Sequence, residues 1–198
     1  MTCWIQTYTG RKFTPLDPRP EDVAIEDIAH ALSLICRFTG HVREFYSVAQ
    51  HSVLAAEKIL QHEICFHARR NYQKQVQAIA LLHDAHEAYL ADLAAPLKQE
   101  PTIQGTFEPL EMAIQTAIHE AFFGDALAPD LLYSFSAVHT VDRRMLATEK
   151  RDLMNPSSYV WHDMLEPYRD RIIPWDPPVA EAKFLERAEA LGLMEKRG

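Results

Sequence analysis

In two places in this 198-residue chain an aspartate directly follows a histidine, His83-Asp84 and His162-Asp163. With ten histidines present such a pair is a weak motif, and context separates the two. His162-Asp163 lies in Tyr159-Val160-Trp161-His162-Asp163-Met164, near Pro156 and Pro167, and reads as structural or surface. His83-Asp84 ends the apolar run Ala78-Ile79-Ala80-Leu81-Leu82. An unpartnered polar group buried there costs roughly 2–7 kcal/mol, and metal coordination is the simplest remedy. Imidazole nitrogen and carboxylate oxygen suit Co, Mn, Zn, Fe or Ni, and a catalytic site leaves positions open for water and substrate. Neighbouring residues on a helix point about 100° apart, so one ion takes both side chains only from between them and draws its other ligands from other helices. His51, in Ser47-Val48-Ala49-Gln50-His51-Ser52-Val53, and Asp142, in Val138-His139-Thr140-Val141-Asp142-Arg143-Arg144, are the polar residues best placed in otherwise core-like helices. The alternative for these four is a hydrogen-bonded His/Asp network without metal. Glu87, four residues beyond His83, shares its helical face, where a carboxylate can take or give a proton.

Helical periodicity supplies the positioning elements. Ile28, Ala29, Leu32, Ile35 and Cys36 predict a first helix from Ile25, ended by Thr39-Gly40. Val48, Val53, Leu54, Ala56, Ile59 and Leu60 predict a second from Ser47 to His67, with His51 on an early turn. After a polar connection from Arg69 to Lys74, a third from about Gln75 to Tyr89 is apolar all round and therefore central. Phe107 to Phe122, Leu131 to Met154 and Pro178 to Leu193 complete the set. Residues 1–24, with Gly10, Pro15, Pro18 and Pro20, read as an extended strap with a short hairpin around Thr9-Gly10-Arg11. No repeat or strand alternation appears, so the expected fold is all-α, with one domain over 25–198 behind the strap.

Composition narrows the partners. A net charge of −8 argues against a nucleic-acid polymer, whose binding uses broad basic faces, but leaves room for a small phosphorylated ligand held by a local cationic cluster. No run of about 20 apolar residues would cross a bilayer, and the first residues lack a secretory signal, so the expectation is a cytoplasmic protein free of membrane. Cys3, Cys36 and Cys65 lack metal-ligand spacing and read as reduced thiols.

The order His51, His83-Asp84, Asp142 on separate helices, with the stretch His83-Asp84-Ala85-His86-Glu87-Ala88-Tyr89-Leu90-Ala91-Asp92-Leu93-Ala94-Ala95-Pro96-Leu97-Lys98, resembles the HD-domain 5'-deoxynucleotidase family and its relatives that hydrolyse deoxynucleoside triphosphates. With Arg37-Phe38 upstream, the resemblance covers roughly residues 25 to 155. It implies an HD-domain helical bundle and a metal-dependent phosphohydrolase acting on a deoxynucleotide. One divalent transition metal would be held by His51, His83, Asp84 and Asp142, lowering the pKa of water and polarising a phosphoryl oxygen. It further implies that Arg37 binds phosphate, that Asp92 accepts a hydrogen bond from the sugar 3'-hydroxyl, and that Lys98 holds further phosphate charge. Asp84 and Glu87 are then catalytic together with Arg37. Relatives that reject ribonucleotides carry tryptophan after the arginine, packed where a 2'-hydroxyl would lie. Phe38 is smaller, which loosens the expected sugar selectivity. His41 and Arg43 could add charge for a second or third phosphate, which keeps the triphosphohydrolase open as an alternative.

Other readings remain at this level. Glu87 could orient a ligand rather than move a proton, Arg37 could pair with Glu26 or Asp27, and Lys98 could simply face water. His119 and His139 could complete a two-metal phosphodiesterase site. A catalytically silent HD module that binds nucleotide as a sensor is the non-enzymatic alternative, and a homo-oligomer, dimer or higher, is compatible with all of these. His86 reads as near the site without ligating, His30, His62 and His67 as surface or core, and Tyr89, Trp161 and Trp175 as core before nucleobase platforms.

Overall fold

The computed structural model describes residues 3–124 and 129–194, with the side chains of all but 129–133. Residues 1 and 2 of the expected strap, and 125–128 and 195–198 of the expected domain, lie outside the described residues. Among the described residues every regular element is helical apart from two two-residue strands, and the protein is all-α.

The strands Ile5–Gln6 (β1) and Lys12–Phe13 (β2) pair antiparallel, Ile5 opposite Phe13, with Gly10 at φ 82° in the turn as its lack of a Cβ allows. The expected hairpin is therefore present. It is welded to the first helix, Ile25–Leu34 (α1), because the Thr9 N–H and hydroxyl donate to the buried Asp27 carboxylate at 2.6 and 3.0 Å. Phe13 is fully buried and stacks on Tyr89 at 3.8 Å.

α1 stops at Leu34, short of the expected Thr39-Gly40. Tertiary bonds win over periodicity there: Val48 N–H donates to the Ile35 carbonyl at 3.0 Å and Arg37 N–H to the Tyr46 carbonyl at 2.9 Å, bridging Cys36 to Ser47 in extended backbone. The chain then makes a tight turn over Arg37–Gly40, in which Phe38 (φ 57°) and Thr39 (φ 53°) are left-handed.

Val48–Lys58 (α2) begins where the Ser47 hydroxyl accepts the Gln50 N–H at 3.1 Å. Instead of running to His67 it ends in two single turns, Ile59–Gln61 and Glu63–Cys65. Arg70–Leu81 (α3) starts inside the segment expected as a connection and stops before His83. From Leu82 to Tyr89 the bonds are of i to i+3 type (Ala85 to Leu82, Glu87 to Asp84, Ala88 to Ala85), so His83-Asp84 lies on a tight turn ahead of the short helix Glu87–Leu90 (α4). The shared helical face expected for His83 and Glu87 is therefore replaced by this turn.

Ala95–Lys98 (α5) leads to Pro101–Phe123 (α6), whose Glu100 cap accepts the Thr102 and Ile103 N–H groups. Pro129–Leu153 (α7) and Pro177–Leu191 (α8) match the last two expected helices within two residues at their C-terminal ends. One core unites them: Ile28 and Leu32 of α1, Ala49 and Ala56 of α2, Ile79 and Leu81 of α3, Ile118 of α6 and Phe184 of α8 are fully buried. Among the described residues no helix is long and apolar enough to cross a membrane.

Between α7 and α8 the chain runs from Met154 to Asp176 without a helix or strand, fastened by α7 itself. The buried Asp152 carboxylate accepts Arg151 Nε and Nη2 at 2.7 Å each, Arg171 Nη1 at 2.6 Å and the Ile172 N–H at 3.0 Å. Burial raises this carboxyl, but the Arg151, Ile172 and Arg171 donors outweigh it and hold the pKa at about 2. A carboxylate lowered in this way stabilises the fold above its unfolded pKa, near 3.9, and loses that contribution as pH falls through about 2. Asp152→Asn should cost about 1–3 kcal/mol at pH 7. Urea unfolding should show the gap from wild type narrowing below about pH 4, and a gap of the same size at pH 3 and pH 7 would mean that the charge of Asp152 is not what matters.

Candidate metal centre

α2, the turn after α3, and α7 converge on one point. His51 Nε2 lies 3.2 Å from His83 Nε2 and 3.2 Å from Asp142 Oδ1, and His83 Nε2 lies 3.9 Å from Asp142 Oδ1. His51, His83 and Asp142 form a group that could hold a metal ion. Asp84 Oδ2 approaches the two imidazoles, at 3.2 Å from His83 Nε2 and 3.6 Å from His51 Nε2.

The other ring nitrogens reveal what the converging ones must be. His51 Nδ1 faces the Glu149 carboxylate at 2.6 Å and His83 Nδ1 faces the Ala80 carbonyl at 2.7 Å. Both partners are acceptors, so both Nδ1 atoms carry a proton, and in the neutral rings that bind a metal both Nε2 atoms present lone pairs. Two lone pairs 3.2 Å apart cannot bond to each other. Nitrogen ligands about 2.0–2.1 Å from one shared ion, at angles between square and tetrahedral, stand about 2.8–3.4 Å apart, which accommodates the observed spacing.

Charge leads to the same conclusion. Arg37, 12% exposed, places Nη1 3.3 Å from Asp84 Oδ2 and Nη2 3.2 Å from Glu149 Oε2. With neutral imidazoles, the carboxylates of Asp84, Asp142 and Glu149 against this one guanidinium leave two negative charges uncompensated, the charge of one divalent cation. Burial opposes a charge on His51 and His83, and Arg37 opposes it on His51, yet Glu149 and Asp142 raise the first and Asp84 and Asp142 the second. The cluster thus attracts positive charge to its centre.

Glu87 borders the cluster in a different state. Burial above all, then Asp84 and Asp92, push its carboxyl well above the usual range, against the pull of Arg37 and Lys98. Its Oε2 is buried without a hydrogen-bond partner, and its Oε1 lies 3.7 Å from Lys98 Nζ. Lys98 also reaches Glu111 Oε1 on α6 at 2.7 Å, and Glu111 meets His86 Nε2 at 3.1 Å.

The remaining residues singled out in the sequence divide clearly. Arg37 turns to the cluster, not to Glu26 or Asp27, and Phe38 lies with its ring 5.5 Å from the Arg37 guanidinium carbon. Asp92, half-buried after α4, is close enough to act on Glu87. Arg43 is not brought to the centre: its Nη2 donates to the Asp152 carbonyl and its N–H to the Leu153 carbonyl. His41 is exposed, and none of the bonds given by the described residues ties it to the cluster. His139 is exposed, and His119 is buried against Gln115, Phe123 and Phe135, with burial and then His86 lowering its pKa to about 4. His86 stays outside the group of ligating atoms. Asp163, at φ 57°, gives its carbonyl to Arg143, and His162 is exposed, as expected for the second His-Asp pair.

Sequence reasoning missed Glu149. It is fully buried, also accepts from the Tyr46 hydroxyl at 3.0 Å, and lies seven residues after Asp142, two turns along the same face of α7. A second acid at that interval was the available signal. Gln115 of α6 was missed as well and had none: it donates Nε2 to the Leu82 carbonyl at 2.7 Å and accepts the His86 N–H at 3.3 Å, contacts between elements 29 or more residues apart.

No protein-family model matches the chain. It is 36% identical over 197 residues to the uncharacterized protein YfdR of Escherichia coli, covering 98% of both chains. It is 33% identical over 149 residues to the uncharacterized protein RCAP_rcc00048 of Rhodobacter capsulatus, covering 74% of this chain and 72% of that one. The chain belongs to the YfdR family. The names of these relatives assign no chemistry, so any activity for this YfdR-family chain must be argued from its own side chains.

If Glu149 orients His51, Glu149→Gln should keep the fold and weaken metal binding by about 10 to 100-fold. Protein purified without chelator should carry about one transition metal per chain, lost in His51→Ala. Competition with a chromogenic chelator measures both, and equal affinity in Glu149→Gln and wild type would reduce Glu149 to a packing residue.

Proposed function

We propose that this chain is a metal-dependent phosphohydrolase of the HD superfamily that removes the 5'-phosphate from deoxynucleoside monophosphates. The observation that carries this reading is the meeting, in one partly buried cluster, of the His51, His83 and Asp142 ligand atoms and the Arg37 guanidinium, with the unpartnered Glu87 Oε2 at its border. Asp84, within 3.6 Å of both imidazoles, completes the ligand set that the resemblance implies.

The cation, Co, Mn, Zn, Fe or Ni, supplies a lowered water pKa and a Lewis acid for a phosphoryl oxygen. The protein's own groups do the rest. Arg37 is planar and anchored to Asp84 and Glu149, so it meets the phosphoryl oxygens pre-aligned and stabilises the charge that spreads over them in the transition state. Burial, with Asp84 and Asp92 nearby, raises the Glu87 carboxyl well above the usual range and so favours its protonated form, which suits it to act first as the acid that protonates the departing sugar oxygen. Lys98 neutralises charge beside it, Asp92 accepts from the sugar 3'-hydroxyl, and Phe38 packs against the pentose.

One observation favours monophosphates over triphosphates. Of the two residues expected to bind a second or third phosphate, Arg43 turns its guanidinium Nη2 to the Asp152 carbonyl, and His41 is exposed with no bond to the cluster among the described residues.

Glu87→Ala separates proton transfer from ligand orientation. It should keep the metal and lose about 10² to 10⁴-fold in turnover of a deoxynucleoside monophosphate. The check is phosphate release from a panel of ribo and deoxy mono-, di- and triphosphates with each divalent metal. Rescue of the variant by excess metal would defeat the proton-transfer role, and no release by wild type from any member would support a silent binding module instead.

A further inference from the structure

The segment Met154–Asp176 covers more than twenty residues without a helix or strand. Stretches of that length inside a compact domain are uncommon and are usually functional. This one is held at fixed points along α7. Arg143 donates to the Asp163 carbonyl, Arg144 Nε to the Glu166 carbonyl at 2.9 Å, and Arg151 to the Tyr168 and Asp170 carbonyls. Three arginines bonded to backbone fix the path of a chain rather than the identity of its side chains. The segment nevertheless presents Tyr159 at 81% and Val160 at 73% exposure, followed by Trp161.

Trp161 was expected in the core, but it is only half-buried and packs outside the core cluster. Its neighbours are Phe38, with ring centroids 6.3 Å apart and planes inclined at 48°, and Lys150, whose Nζ lies 4.8 Å over its ring. Two rings at 48° form an open wedge rather than a closed stack. The Phe38 side of the wedge is set by left-handed backbone at Phe38 and Thr39, a conformation that bulky and β-branched residues rarely adopt and that persists where the surroundings impose it. The same turn sends Arg37 inward to Asp84 and Glu149. The Phe38 ring thus lies 5.5 Å from the guanidinium carbon and 6.3 Å from the Trp161 ring, close enough to both for one nucleotide to reach Arg37 with its phosphate and Trp161 with its base.

We propose that Trp161, with Phe38, forms the subsite for the planar heteroaromatic base of the nucleotide, supplied by the Met154–Asp176 segment. This rests on the nucleotidase reading for the placement of phosphate at Arg37. Stacking of a base on an aromatic side chain tolerates different bases, because each has a π face. The subsite therefore selects for the presence of a base more than for its identity.

The test is calorimetric, in the Glu87→Ala background with added Mn, so that binding is read without turnover. The two probes are 2'-deoxyadenosine 5'-monophosphate and the base-free 2-deoxyribose 5-phosphate. The preference for the nucleotide should fall about tenfold in Trp161→Ala and be largely kept in Trp161→Phe, which preserves an aromatic face. A preference equal in Trp161→Ala and its parent would overturn the proposal, as would a loss of both probes in equal proportion, which would mark Trp161 as a support for the Phe38 turn. Failure of the parent protein to bind either probe would also overturn it. Tryptophan-dependent binding in a protein whose wild type releases no phosphate would sustain the subsite while removing the hydrolase reading.

Discussion

Everything in this structure answers to the cost of burying carboxylates. Glu149 is fully buried at the centre of the bundle, and Asp84 and Asp142 lie within hydrogen-bonding distance of imidazoles beside it. Ionised carboxylates so placed are expensive unless cations and donors surround them. Arg37 provides one charge, the Tyr46 hydroxyl and His51 Nδ1 provide donors, and the remaining negative charge faces the two Nε2 lone pairs. That imbalance is why this part of a packed helical core could hold a metal ion.

The elements beyond the cluster can be understood by how they hold its members. α2 and α7 carry His51, Asp142 and Glu149 on regular helix, where spacing fixes direction. The tight turn after α3 splays His83 and Asp84 toward the same point, with Gln115 of α6 tied to the Leu82 carbonyl and the His86 N–H at its two ends. The turn after α1 is held from the far side by the Cys36–Ser47 bridge and by Arg43 on the last residues of α7. Arg43 thus contributes to the site by fixing backbone, which accounts for a basic residue so near the cluster that never faces it.

The legible part of this fold was periodic. Apolar spacing located the later helices, and the apolar run before His83 placed that pair at the edge of the core. What was not legible depended on partners distant in sequence. The ends of α1 and α3 are set by bonds to Tyr46, Val48 and Gln115, so a helical pattern continued on paper where the chain had already turned. His51, His83 and Asp142 were legible because ligand-type side chains interrupt apolar helices. Glu149 was not, although it interrupts α7 in the same way, because a single acid on a helix otherwise reads as surface. Trp161 was assigned to the core on its residue type, whereas the path of its segment is dictated by arginines donating to carbonyls, an interaction that leaves no trace in side-chain pattern.

His51, His83 and Asp142 could hold a metal ion, and one divalent cation with Asp84 as a fourth ligand is the arrangement we propose. The most direct measurement is anomalous X-ray diffraction from crystals of the protein as purified without chelator, recorded on both sides of the metal's absorption edge. A single peak about 2.0–2.2 Å from both Nε2 atoms and from oxygens of Asp84 and Asp142 is expected. A cluster without a peak, with the two imidazoles moved apart or one protonated at Nε2 toward Asp142, would contradict it and leave a buried hydrogen-bonded network in its place.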